Sequence, residues 1–289
     1  MSSSIVYRSA SLLALLLVIS YYAWITVVPF GYAGAPIAAI AMLGLVVATL
    51  KVGVREPRAW WQAADTSQTG RVMLLILTGM ICQLTIGWGL REVGRFSQLT
   101  STIVYLVVWT SIPLLFIAMG WVRWPHRLAS PSWRALLPAA AAILLVATGT
   151  ACMGGLAYTG PQVPPKLFDY AIGGAATLLG ATMEEIVFRV LLLTAIAAAS
   201  KSRTQALILS SVVFALYHVP GSVSVPLFAG DWPEVETYAR DFLPDLVWTT
   251  GYGFFFGAVW LRTGSITLVC LAHAICNFGQ IAVGGLDAL

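Results

Sequence analysis

Long apolar runs separated by short charged loops dominate this chain. Nine stretches reach or approach spanning length: residues 9–30, 34–50, 72–90, 101–122, 135–158, 168–200, 204–219, 246–261 and 266–283. A membrane-crossing helix needs about 20 mostly apolar residues. The pattern therefore predicts an all-α, polytopic transmembrane helix bundle of about eight to nine spanning helices. No internal repeat and no low-complexity segment interrupts it. The first run follows Arg8 and is longer than the apolar part of a usual signal peptide, so it reads as a retained helix.

The run 168–200 is too long for one simple crossing. As a single helix it would measure about 50 Å, against a hydrocarbon core of about 30 Å. It must tilt, protrude or break, and Gly173, Gly174 and Gly180 are the expected weak points. A break just before Glu184 would put the carboxylates at a helix start or in a cavity, where irregular backbone is tolerated at membrane depth. The stretch 220–243 reads as the longest late loop. Asp231-Trp232-Pro233-Glu234 resembles a helix start, and Val235, Tyr238 and Phe242 would share one face of a short amphipathic surface helix, an ordinary solvated turn or a lid.

Composition strengthens the membrane reading. Of 289 residues, 59% are hydrophobic and 10% charged, where a soluble domain carries about 25% charge. The 11 Trp and 10 Tyr suit interfacial belts. The net charge of +4 is scattered over loops, so it indicates topology and no nucleic-acid partner. Lys51, Arg55, Arg58 and Arg71 share a side with Arg8, with Arg123, Arg127 and Arg134, with Lys201 and Arg203, and with Arg262. Arg91, Arg95, Lys166 and Arg240 fall on the other side. This asymmetry predicts nine spans, a cytoplasmic N-terminus and an outside C-terminus. Short loops and the absence of an organelle signal point to a prokaryotic plasma membrane. Cys82, Cys152, Cys270 and Cys276 all lie in apolar segments without a CxxC, as small buried hydrophobes do.

Against this background Thr182-Met183-Glu184-Glu185-Ile186-Val187-Phe188-Arg189 stands out. One charged side chain at the bilayer centre costs about 2.5–3.5 kcal/mol on insertion scales, and intramembrane ionisable groups mark functional sites. Glu185 and Arg189, four apart, lie about 40° apart around a helix and can pair. Glu184 and Arg189 are about 140° apart, which leaves Glu184 without a cation, the position of a free general base. Two later apolar runs add Phe214-Ala215-Leu216-Tyr217-His218, near a helix end expected at Pro220, and His273-Ala274-Ile275-Cys276-Asn277, whose His273 and Asn277 share a face. His126 sits in a basic loop and takes no role.

Glu-Glu-x-x-x-Arg, Phe-x-x-x-His and His-x-x-x-Asn, in that order on three helices, resemble the motifs of the CAAX prenyl protease and bacteriocin-processing family of intramembrane glutamic endopeptidases, also called the Abi family. Gly257, Arg262, Thr263 and Gly264 resemble the stretch before the family's last motif. The resemblance divides the chain into residues 1–160, transmembrane helices without a readable motif, and 161–289, the protease core in the C-terminal four helices. It implies that Glu184 deprotonates water, His218 helps hold that water, His273 and Asn277 bind the oxyanion, and Glu185 and Arg189 order the site. It implies no cofactor and no metal. The substrate would be a peptide or membrane-protein segment, a C-terminal or prenylated one included. Three other readings remain open on the residues alone: a zinc site from Glu184, His218 and His273, a proton-coupled transporter, and a non-catalytic immunity or scaffold protein.

Overall fold

The computed structural model describes residues 67–95, 98–125, 133–157, 167–229 and 232–284. The predicted spans 9–30 and 34–50, the residue Asp231 and His126 lie outside the described residues. Within them the chain is helical throughout, with no strand. The elements are α1 (Gln68–Glu92), α2 (Gln98–Ala118), α3 (Trp133–Ala157), α4 (Leu167–Glu185), a π-helical segment (Ile186–Leu193), α5 (Thr194–Ser200), α6 (Arg203–Ala229), α7 (Trp232–Thr263) and α8 (Ile266–Gly284). By length and apolar composition, Gln68–Glu92 and Thr100–Ala118 are long enough to cross a membrane.

The helices turn apolar side chains outward as well as inward. Ile81, Val107, Leu114, Leu137 and Leu145 are each more than half exposed. A soluble protein does not carry so many exposed large apolar residues without a partner, whereas acyl chains solvate them. Trp88 near the end of α1, and Trp121 and Trp124 just beyond α2, are partly exposed, as rings at a membrane–water boundary are.

Packing concentrates in the C-terminal half. Helix α6 lies along α7, while α8 lies between α3 and α4. Helix α1 packs on α2, and both reach the later helices, α1 through α6 and the π segment and α2 through α4. The turn from α7 to α8 is tight. Gly264 has φ +60°, a left-handed conformation that glycine adopts without penalty, and the Ser265 hydroxyl accepts a hydrogen bond from the Leu268 N–H at 3.3 Å, capping α8. Gly257 on α7 faces Leu207 and Leu193 so closely that a Cβ would lie 2.6 Å from the Leu207 Cδ1. Two of the glycines that carried the family resemblance therefore have steric work, one in a turn and one in a helix crossing.

Two expectations are corrected. The run 168–200 does not break at its glycines. Helix α4 continues through Gly173, Gly174 and Gly180, of which Gly174 faces Phe278 and Gly180 faces the Tyr105 ring. The irregularity comes after the glutamates, where α4 passes into the wider π-helical turn. There the Thr194 hydroxyl donates to the Arg189 carbonyl at 3.0 Å and accepts from the Trp260 indole N–H at 3.1 Å. Inserted wide turns of this kind are concentrated at functional sites. Nor does Pro220 end a helix: α6 runs on to Ala229, and α7 begins at Trp232, so the expected loop 220–243 is mostly helix. Ending α6 at membrane depth would leave up to four carbonyls without partners, each costing several kcal/mol. That exceeds the roughly 3 kcal/mol by which proline disfavours a helix interior.

Gly279 gives the sharpest test of this packing. A Cβ there would lie 1.9 Å from the Ala151 carbonyl oxygen on α3, a backbone atom that cannot swing aside, whereas Gly149 has nothing within 4 Å. Gly279→Ala is expected to destabilise the detergent-solubilised protein by about 3 kcal/mol or more. Gly149→Ala should be neutral or stabilising by up to about 1 kcal/mol. Thermal unfolding of the two purified variants beside the unsubstituted protein decides it.

Candidate active site

All six residues singled out from the sequence converge on one region. Glu184 and Glu185 end α4, and Arg189 sits one turn on in the π segment. His218 comes from α6, and His273 and Asn277 come from α8. Glu185, Arg189 and His273 are almost completely buried, at 0%, 1% and 3% exposure, and Glu184 is 8% exposed.

Glu185 is paired on two sides, although its Oε2 accepts no hydrogen bond among the described residues. Its Oε2 lies 3.1 Å from Arg189 Nε, and its Oε1 lies 2.7 Å from His273 Nδ1. A carboxylate only accepts, so His273 donates through Nδ1–H, and its Nε2 is turned the other way. That Nε2 lies 3.7 Å from Glu184 Oε2. The Arg189 guanidinium is held between aromatic faces, 4.1 Å from the Phe214 centroid and 5.5 Å from that of Phe256. Cation–π attraction of this kind reaches about 2 kcal/mol when desolvated. Its terminal nitrogens have no hydrogen-bond partner among the described residues, so the rings supply much of the compensation for its burial. Phe256 also stacks on His273 at 4.3 Å.

Glu184 is placed differently. It makes no ion pair with Arg189 among the described residues. It faces His218 Nε2 at 3.9 Å from Oε1 and His273 Nε2 at 3.7 Å from Oε2, and it accepts a hydrogen bond from the Tyr105 hydroxyl on α2. His218 Nδ1 is 2.8 Å from the Phe214 carbonyl. A carbonyl accepts only, so Nδ1 carries the hydrogen, and in the neutral ring Nε2 is an acceptor. A cavity of about 280 Å³ adjoins Glu184, lined by Tyr105, Ser101, Thr102, Gln83, Thr177 and Asn277 among others. Asn277 on α8 also lines this cavity.

Sequence reasoning passed over Tyr105, Phe256 and the purpose of Phe214. Tyr105 lies in a helix without a motif, and a tyrosine in an apolar run is ordinarily an interfacial or core residue. Phe214 was visible as the first residue of Phe-x-x-x-His, but its contact with Arg189 depends on how α6 crosses the π segment. Among the described residues, no group of three or more His, Cys, Asp or Glu is arranged to hold a metal ion. Cys270 and Cys276 are free and buried and Cys82 is free and partly buried.

The Arg189–Glu185 pair generates a stability prediction. Arg189→Ala strands the buried Glu185 charge and is expected to cost about 3–5 kcal/mol. Removing both charges, as in Glu185→Leu with Arg189→Met, should recover part of that loss. Chemical or thermal unfolding of the single and double variants measures the coupling. An Arg189→Ala protein as stable as the unsubstituted one would contradict the pairing.

Residues 166–279 match the family model for type II CAAX prenyl endopeptidase Rce1-like proteins. Neither a curated protein nor a solved structure matches the chain. The matched segment contains Glu184, Glu185, Arg189, His218, His273 and Asn277. The match supports a membrane protein and a peptide hydrolase. Over this segment, somewhat under half of the chain, the protein is similar to the type II CAAX prenyl endopeptidases, the family its three motifs resemble.

Proposed function

We propose that this protein is a glutamate-dependent intramembrane endopeptidase whose attacking water is activated by Glu184. The observation that carries the reading is the unequal treatment of two neighbouring carboxylates. Glu185 is bound by Arg189 and His273, whereas Glu184 faces the Nε2 atoms of both His218 and His273 at 3.9 and 3.7 Å. Those separations exceed a direct hydrogen bond.

The chemistry follows from donor and acceptor roles. Glu184 and the outward Nε2 of a neutral His218 are both acceptors, so a water between them donates both hydrogens and presents its lone pair to the substrate. Glu184 takes a proton as the water oxygen bonds to the peptide carbonyl carbon. Asn277 donates its amide N–H to the developing oxyanion. The protonated form of His273 can join it through Nε2–H, with Nδ1–H held on Glu185. Collapse of the tetrahedral intermediate breaks the C–N bond, and Glu184 returns the proton to the leaving nitrogen. Donors aimed at a developing charge in a site shielded from bulk water supply the main rate enhancement.

The surrounding chain is read accordingly. Residues 161–289 form the protease core, and 1–160 precede it. The bundle crosses a prokaryotic plasma membrane eight or nine times with the N-terminus cytoplasmic, as the loop cations favour. The substrate is a peptide or membrane-protein segment unwound in the polar cavity, whose Ser101, Thr102, Gln83 and Asn277 side chains can satisfy an extended backbone.

Three outcomes are expected in a cleavage assay in detergent or nanodiscs. Glu184→Gln abolishes cleavage while leaving the unfolding temperature within a few degrees. Asn277→Ala lowers kcat by about 10²–10³. Cleavage persists in excess chelator. A folded Glu184→Gln protein that still cuts contradicts the assignment of the base, and loss of activity in chelator that zinc restores would favour a zinc enzyme.

A further inference from the structure

Glu184 is held from outside the segment that matches the family. The Tyr105 hydroxyl donates to Glu184 Oε1, and Tyr105 lies on α2, far ahead of residues 166–279. The same ring lies against Gly180, one turn before Glu184 on α4.

The helix that delivers this hydroxyl is itself locked. Trp109, one turn beyond Tyr105, is fully buried and donates its indole N–H to Gln83 on α1 at 2.8 Å. Its ring packs edge-on against Tyr217, the residue before His218, with centroids 4.5 Å apart. On α1, Gly79 leaves room for it, since a Cβ there would lie 2.9 Å from the Trp109 ring. Helix α2 is thus keyed both to α1 and to the helix that carries His218. Its Tyr105 is the hydrogen-bond donor that Glu184 meets across the cavity wall.

We propose that Tyr105 is a positioning residue for the reaction: its hydroxyl clamps Glu184 Oε1 so that the carboxylate faces the gap between His218 and His273. The proposal rests on the endopeptidase reading above. A carboxylate on a free glutamate side chain rotates about its terminal torsion. One donor bond to Oε1 fixes that rotation and leaves Oε2 directed at His273 Nε2. The hydroxyl donates to the charged form of the base without taking its proton. Tyr105 acts through Glu184, so its loss affects turnover rather than substrate capture.

The test compares the full-length protein, Tyr105→Phe, Glu184→Gln and the double variant in nanodiscs. The probe is whichever internally quenched peptide, farnesylated at a C-terminal cysteine or unmodified, the unsubstituted protein cleaves fastest. Tyr105→Phe keeps the ring and its packing, so its unfolding temperature should stay within a few degrees. Its kcat should fall about 10- to 100-fold, the loss associated with a hydrogen bond to a charged group, with KM within about twofold. In the inactive Glu184→Gln background, adding Tyr105→Phe should leave the peptide Kd within about twofold. A kcat within twofold of the unsubstituted protein overturns the proposal. So does a loss expressed in KM or Kd, which would make Tyr105 a substrate contact. Undiminished cleavage by Glu184→Gln would instead overturn the choice of base. Failure of the unsubstituted protein to cleave any such peptide would remove the endopeptidase reading and this proposal with it.

Discussion

The Glu185 carboxylate is the interaction on which the rest of this structure depends. It is fully buried and joins Arg189 of the π segment to His273 of α8. An unpaired charge in such surroundings would cost several kcal/mol, and the compensation works only when partners are aligned on both sides. The carboxylate therefore dictates how α8 sits against α4. It also dictates the orientation of the His273 ring, because Nδ1 must donate to it. Phe214 and Phe256 close the lock by covering the Arg189 guanidinium and the His273 ring, which ties α6 and α7 to the same point.

The molecule inverts the usual arrangement of a soluble fold. Its outer helix faces carry Leu, Ile and Val, while the most polar cluster lies inside. Lipid solvates the outside at no penalty, so apolar burial alone does not bring helices together. Close backbone approach does part of that work, as at Gly257 and Gly279, and hydrogen-bonded polar contacts do another part. The π-helical turn belongs to the second group. It inserts a wide turn between Glu185 and Leu193, and the Thr194 hydroxyl satisfies the Arg189 carbonyl there while accepting from Trp260.

The helices from 68 onward were legible in the apolar runs because spacing and length are local properties. Their ends were less so. Pro220 is a strong stop signal in water, but in an apolar bundle the helix continues, since exposed carbonyls are worse than one missing hydrogen bond. The glycines of α4 suggested a break, yet Gly174 and Gly180 face Phe278 and Tyr105, and the irregularity falls where Arg189 meets Glu185. At the site, the polar residues were legible because charge and imidazole are rare in apolar sequence. Tyr105 was not, because a tyrosine on a spanning helix is ordinary. Its meeting with Glu184 depends on α2 docking against α4, which no local pattern encodes.

The two adjacent glutamates meet different surroundings. Neighbouring helical residues point about 100° apart, so one backbone position can send one carboxylate into the packed interior and the next toward a cavity. If Arg189 stood within reach of both, it would neutralise both. Four residues from Glu185 and five from Glu184, it pairs with the first alone. His273 then addresses both carboxylates through its two nitrogens, Nδ1 to Glu185 and Nε2 toward Glu184, at 2.7 and 3.7 Å. A single imidazole thereby stands between the paired carboxylate and the cavity-facing one. Glu184 is thus bordered by the buried pair on one side and by the Tyr105 hydroxyl on the other, and a shift in either would move its carboxylate relative to the two imidazoles.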